Sequence, residues 1–141
     1  MKALLICLST GLLFAAIAWA DSSDTKSLNN HLAGTWELVS AEYGGQTAPT
    51  DTKEVKMISA KHFMFITYDK KTSKPIRHGT GSYTLDGDSY TEHVDFMGGE
   101  GTDGSPTGKD FTFKIKLDAD TLTQTGDMMG MSLKEVYKRV D

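Results

Sequence analysis

The spacing of apolar residues along this chain changes twice, and each change marks a boundary. Ala3 to Ala18 is an apolar run broken only by Ser9, Thr10 and Gly11. Asp21 to Ala33 is polar, with Leu28, Leu32 and Ala33 as its apolar members. Leu28 and Leu32 stand four apart, which predicts one short amphipathic helical turn capped by Ser22 or Asp24. From Gly34 onward the period falls to two. Trp36, Leu38 and Ser40 share one face, and Thr35, Glu37, Val39 and Ala41 share the other.

Strand signals then succeed one another to the end of the chain. Gly44-Gly45 marks a turn and Pro49 a loop. Val55 to Ala60 and Phe63 to Asp69 are rich in β-formers but apolar on both faces, so period alone does not orient them. Asp69 to Pro75 is a charged turn, and Gly79 to Leu85 is a strand. Asp86-Gly87-Asp88 reads as a hairpin turn because glycine tolerates positive φ. Ser89 to Met97 is the next strand, and Gly98 to Gly108 is a Gly-rich loop. Phe111 to Leu117 alternates most cleanly. Asp118-Ala119-Asp120 and Asp127 to Gly130 are turns around Thr121 to Gly126, and Ser132 to Val140 is the last strand. Eight strands with no crossover helix predict an all-β fold, an antiparallel up-and-down barrel.

The first twenty residues have the make-up of an export signal. Lys2 supplies the positive start, and Ala18-Trp19-Ala20 puts small residues where a signal peptidase cuts. The interrupted run falls short of the ~20 strongly apolar residues that a membrane span needs. The chain therefore divides into a signal peptide (1–20), an N-terminal segment (21–33) and one barrel domain (34–141), with a periplasmic or secreted location expected. Cleavage removes Cys7, the single cysteine, so no disulfide supports the domain. It also takes Lys2 from the 15 basic residues, leaving 14 against 19 acidic ones, a net charge of −5. Such acidity disfavours a nucleic-acid partner.

Gly34-Thr35-Trp36-Glu37-Leu38 and Val136-Tyr137-Lys138-Arg139-Val140 together resemble the opening G-x-W strand and closing basic strand of the calycins. That superfamily contains the lipocalins, the fatty-acid-binding proteins and bacterial secreted lipocalin-like domains. The resemblance implies that first and last strands pair, that Trp36 plugs the barrel floor with Gly34 entering beneath it, and that Arg139 covers the indole. A cation over an indole face gains ~0.5–2 kcal/mol. It also implies a small hydrophobic or amphipathic ligand in the cavity.

If Trp36 and Arg139 point inward, so do Glu135 and Tyr137. The fatty-acid-binding branch carries an Arg-x-Tyr pair at that point; here Glu135 stands in the arginine's place and Tyr137 is retained. Inward parity then expects a cavity open at the end away from Trp36 and lined by Tyr90, Phe111, Phe113, Ile115 and Tyr137. Glu92 and Glu135 are its polar handles, and Val94 and Phe96 face in beside Tyr90. Such a site prefers a neutral hydrogen-bonding or cationic ligand to a fatty acid. Glu92 and Glu135 are equally read as rim residues, or as ion-pair partners of Arg77 or Arg139.

Two other function classes stay open. His62, His78 and His93 with Met128, Met129 and Met131 suit copper or haem carriage in an exported protein, although no two histidines have a local ligand spacing. A protein acting through its surface at the envelope is the other. Catalytic signatures are missing: there is no Gly-x-Ser-x-Gly and no phosphate loop. Asp95, Glu100 and Asp103 lack the spacing of a calcium loop. The sequence expects a binding protein, not an enzyme, and assigns no cofactor.

Overall fold

The computed structural model describes residues 31–101 and 106–140. The expected signal peptide, most of the helical turn between Asp21 and Ala33, and part of the Gly-rich loop lie outside the described residues, whose elements are all strands. These are β1 (Gly34–Tyr43), β2 (Gln46–Thr47), β3 (Thr52–Ile58), β4 (His62–Asp69), β5 (Pro75–Asp86), β6 (Ser89–Gly99), β7 (Asp110–Asp118), β8 (Thr121–Met128) and β9 (Met131–Arg139). Apart from the two-residue β2, which pairs only with the end of β1, they form one antiparallel meander.

β1 and β9 close the meander into an eight-stranded barrel. Their ladder runs from Trp36 opposite Arg139 to Tyr43 opposite Leu133. Closure pairs the first long strand with the last, so neither β1 nor β9 is left as a sheet edge along that seam. Alternation sorts the side chains: on β7, Phe111, Phe113 and Ile115 are buried, while Thr112, Lys114 and Lys116 between them are exposed. Trp36, Tyr90, Phe113, Leu122 and Tyr137 form the fully buried centre with Leu32.

Two irregularities interrupt the pattern. The β5–β6 register shifts between Thr80 and Gly81, so Thr80 opposes Phe96 and Gly81 opposes Val94. A side chain at Gly81 would put its Cβ 2.0 Å from the His93 carbonyl oxygen, so only glycine allows this approach. The extra residue on β6 reverses the facing of the positions beyond it. Phe96, expected to point inward with Tyr90 and Val94, is instead half exposed on the outer face.

The second irregularity lies between β1 and β3. Their ladder covers only Gly34–Glu37 against Val55–Ile58, and β1 bulges at Val39 before turning to pair with β2. Beyond Glu37 the two strands separate, leaving a slot in the barrel wall.

Candidate functional site

The floor of the barrel is a stack. Trp36 is wholly buried, and its indole Nε1 donates to the Leu32 carbonyl at 2.9 Å. The Arg139 guanidinium lies over the ring, 4.1 Å from its centroid, and donates to the Ala33 and His31 carbonyls. Gly34, at φ 150°, turns the chain into β1 between these contacts.

Above the floor the interior becomes ionic. Lys56 on β3 is buried and donates to Glu92 on β6 and, at 3.3 Å, to Gln124 on β8. Burial alone would lower the Lys56 pKa, but Glu92, Glu135 and Glu54 outweigh it and raise the value, so the ammonium stays charged. Glu54, also on β3, accepts from Thr67 at 2.7 Å, lies 3.1 Å from the Tyr137 hydroxyl oxygen, and faces Arg77 at 3.6 Å. Glu135 on β9 accepts from Tyr137 and Tyr43, both at 2.8 Å.

Burial is the main cause that raises the Glu135 pKa, with neighbouring Glu54 adding to it. Lys56 and the two tyrosine hydroxyls oppose the shift without cancelling it. Burial, then Glu135, pushes the Tyr43 and Tyr137 hydroxyls up as well, so both remain donors. The Arg77 Nε is buried at this level without a hydrogen-bond partner, and burial, then Glu92, raises the Tyr90 hydroxyl pKa.

Three spaces meet this cluster. The inner cavity is about 50 Å³ and is bounded by Glu54, Lys56, Glu92, Gln124, Glu135 and Tyr137 among apolar side chains. That holds a water or one small head group, not a chain. Above it, at the end away from Trp36, a mouth pocket of about 380 Å³ is walled by Met97, Met128, Met129, Met131, Leu133 and Pro106. The slot between β1 and β3 is a third space, about 320 Å³, with Glu54 and Thr67 on its inner side. Arg77 borders all three.

Of the side chains chosen from sequence, Glu92, Phe111, Phe113, Glu135 and Tyr137 border the inner cavity. Tyr90 and Ile115 are buried in the core without bordering it. Glu92 pairs with Lys56, not with Arg77 or Arg139. Sequence reasoning missed Tyr43, Glu54, Lys56, Thr67 and Gln124, and it named Arg77 only as a partner of Glu92 or Glu135, whereas Arg77 faces Glu54. Their signal was a polar residue inside a run of β-formers, as in Val55-Lys56-Met57.

The histidines are not brought together. His62, His78 and His93 are exposed, and His93 binds Asp110 through Nδ1 at 2.5 Å, which raises its pKa. Among the described residues no three His, Cys, Asp or Glu side chains are grouped to hold a metal ion. No helix among them is long and apolar enough to cross a membrane.

Closed antiparallel meander, floor tryptophan under a basic side chain, and a pocket at the far end define a calycin-like barrel. The chain belongs to the family described as a domain of unknown function, DUF4488, which it matches over residues 31–141. No curated protein matches the sequence. It is similar to a lipocalin-like protein from Bacteroides uniformis, at 21% identity and TM-score 0.53, over 77% of this chain and 97% of the other. A second likeness is to an uncharacterized protein from Bacteroides eggerthii, at 16% identity and TM-score 0.50, over 76% and 98%. Identities this low speak to the fold, and function has to come from the site.

Proposed function

We propose that this protein is an exported carrier of a small amphipathic molecule, held at the mouth of the barrel with its polar head on the buried cluster. The observation that carries the reading is an ionic cluster buried at the foot of an apolar pocket. Charged groups inside a core cost several kcal/mol each to desolvate, and apolar residues of similar size would often hold a fold better. A barrel that needed only stability has no use for Glu54, Lys56, Glu92 and Glu135 at its centre. The division of space fits the same reading. The inner cavity has the size of a head group, and the mouth pocket has room for an apolar body against adaptable methionines. Export rests on Lys2, the apolar run and Ala18-Trp19-Ala20.

Fluorescence titration with N-phenyl-1-naphthylamine, a neutral apolar probe, tests the site. Saturable binding should appear and weaken at least tenfold in Met128→Lys, whose charge enters the mouth pocket. Equal binding by the variant, with its circular dichroism intact, would place the probe elsewhere and refute the reading. One observation favours a second reading, action through the outer surface. Met57 and Met64 oppose each other on β3 and β4, and Thr80 links that row to Phe96. All three apolar side chains are 43 to 50% exposed.

A further inference from the structure

The geometry points to a site that exchanges a proton for a primary ammonium group: Glu135 and Glu54, bridged by one tyrosine hydroxyl, hold a proton that a cationic head replaces. This rests on the carrier reading above and names the chemistry of the head.

Hydrogen count calls for a shared proton. The Tyr137 oxygen lies 2.8 Å from Glu135 Oε2 and 3.1 Å from Glu54 Oε1. A hydroxyl has one proton to donate, and an ionised carboxylate has none. With both carboxylates ionised, one of the two contacts sets lone pair against lone pair. A proton on either carboxyl group makes both contacts into hydrogen bonds. Tyr43 cannot supply it, because its own proton is committed to Glu135 Oε1 at 2.8 Å. Thr67 is likewise committed to Glu54 Oε2.

Charge count agrees. The groups that face Glu135 or the carboxylate beside it are Tyr43 from β1, Glu54 and Lys56 from β3, Arg77 from β5, Glu92 from β6 and Tyr137 on β9 itself. Three carboxylates against two cations leave one negative charge when all are ionised. One proton balances it, and so does one ammonium ion. A carboxylate head would instead add a second negative charge in a space that excludes bulk water. When the ammonium enters, the carboxyl O–H bond breaks, the proton passes to the buffer, and the net charge of the cluster is unchanged. Burial, and after it Glu54, raise the Glu135 pKa, which is the direction a shared proton on this carboxyl group requires.

Space sets the rest of the ligand. The inner cavity of about 50 Å³ admits a primary ammonium and little more. It shares Arg77, Met97, Met128 and Leu133 with the mouth pocket, so a chain attached to that ammonium continues into the apolar space.

Isothermal titration calorimetry of the mature protein with decylammonium chloride tests this, run from about pH 5 to 8 with, at each pH, two amine-free buffers that both buffer there and differ in ionisation enthalpy, such as acetate and MES at the acid end. The heat difference between buffers counts the protons released. Release should approach one per molecule bound at the acid end, and Kd there should rise about tenfold for each pH unit lowered. Decanoate should bind at least tenfold more weakly. Glu135→Gln should abolish the release and weaken decylammonium at least tenfold. A second measurement needs no variant: in the carboxyl ¹³C spectrum of the wild-type protein, one glutamate should titrate above the others and move downward on saturation. Decylammonium binding without proton release at any pH, or decanoate binding more tightly, overturns the inference and leaves the carrier reading standing. Failure of the neutral naphthylamine overturns the carrier reading itself.

Discussion

Glu135 makes the stability of this barrel depend on pH in the direction opposite to a carboxylate whose pKa is lowered by an ion pair. Its pKa is higher in the folded protein than in the unfolded chain, so between the two values the folded state binds the extra proton. The stability it contributes is therefore complete below the unfolded value and is lost as pH rises through the folded one. Each tenfold difference in proton affinity is worth about 1.4 kcal/mol. Glutamine imitates the protonated form, accepting from one tyrosine and donating to the other. Urea denaturation across that pH range should find the wild type losing stability while Glu135→Gln holds level. Parallel curves for the two proteins would show that another group carries the dependence. Glu135 itself was readable, because it stands two residues from Tyr137 on a strand whose facing the calycin resemblance supplied. Its neighbour Lys56 was not. Met57 and Met64 are apolar yet partly exposed, so β3 and β4 look alike on both faces and nothing local shows that a lysine points inward.

At the scale of elements, the β1–β9 seam and its floor stack carry the closure. Trp36→Ala should cost about 3–5 kcal/mol, since the cavity left under Leu32 cannot collapse against a closed ring of strands. Arg139→Ala should cost about 1–2 kcal/mol, through the ring contact and the carbonyls it satisfies. Chemical denaturation of both variants checks the order; an equal or larger loss for Arg139→Ala would mean that the seam depends on the cation more than on the plug. Turns and most strands come from local chemistry, as Asp86-Gly87-Asp88 and the alternation of β7 illustrate. The β6 bulge opposite Gly81 does not. It depends on how close β6 comes to β5, a fact about two strands together, and it alone decides that Phe96 faces out while Val94 faces in.

For the whole molecule, closure was legible because it needs only strand number, short connections and matching ends. The division of the interior was not, since it depends on which polar side chains from β1, β3, β5, β6, β8 and β9 meet at one level. The export reading makes its own claim at this scale: intact mass of protein taken from the cell envelope should correspond to a chain beginning at Asp21, and a mass retaining Met1 to Ala20 would refute it. The union of β1 with β9 has one more outcome. Because Trp36 lies opposite Arg139, the polypeptide enters the barrel and leaves it side by side at the closed end, and neither strand end crosses the methionine-walled mouth. A tether, a fusion partner or a solid support joined directly beside Gly34 or Arg139 would therefore meet the barrel at its base. The end that closes the barrel is thus also the end by which it is held, and the methionine-walled pocket lies at the other.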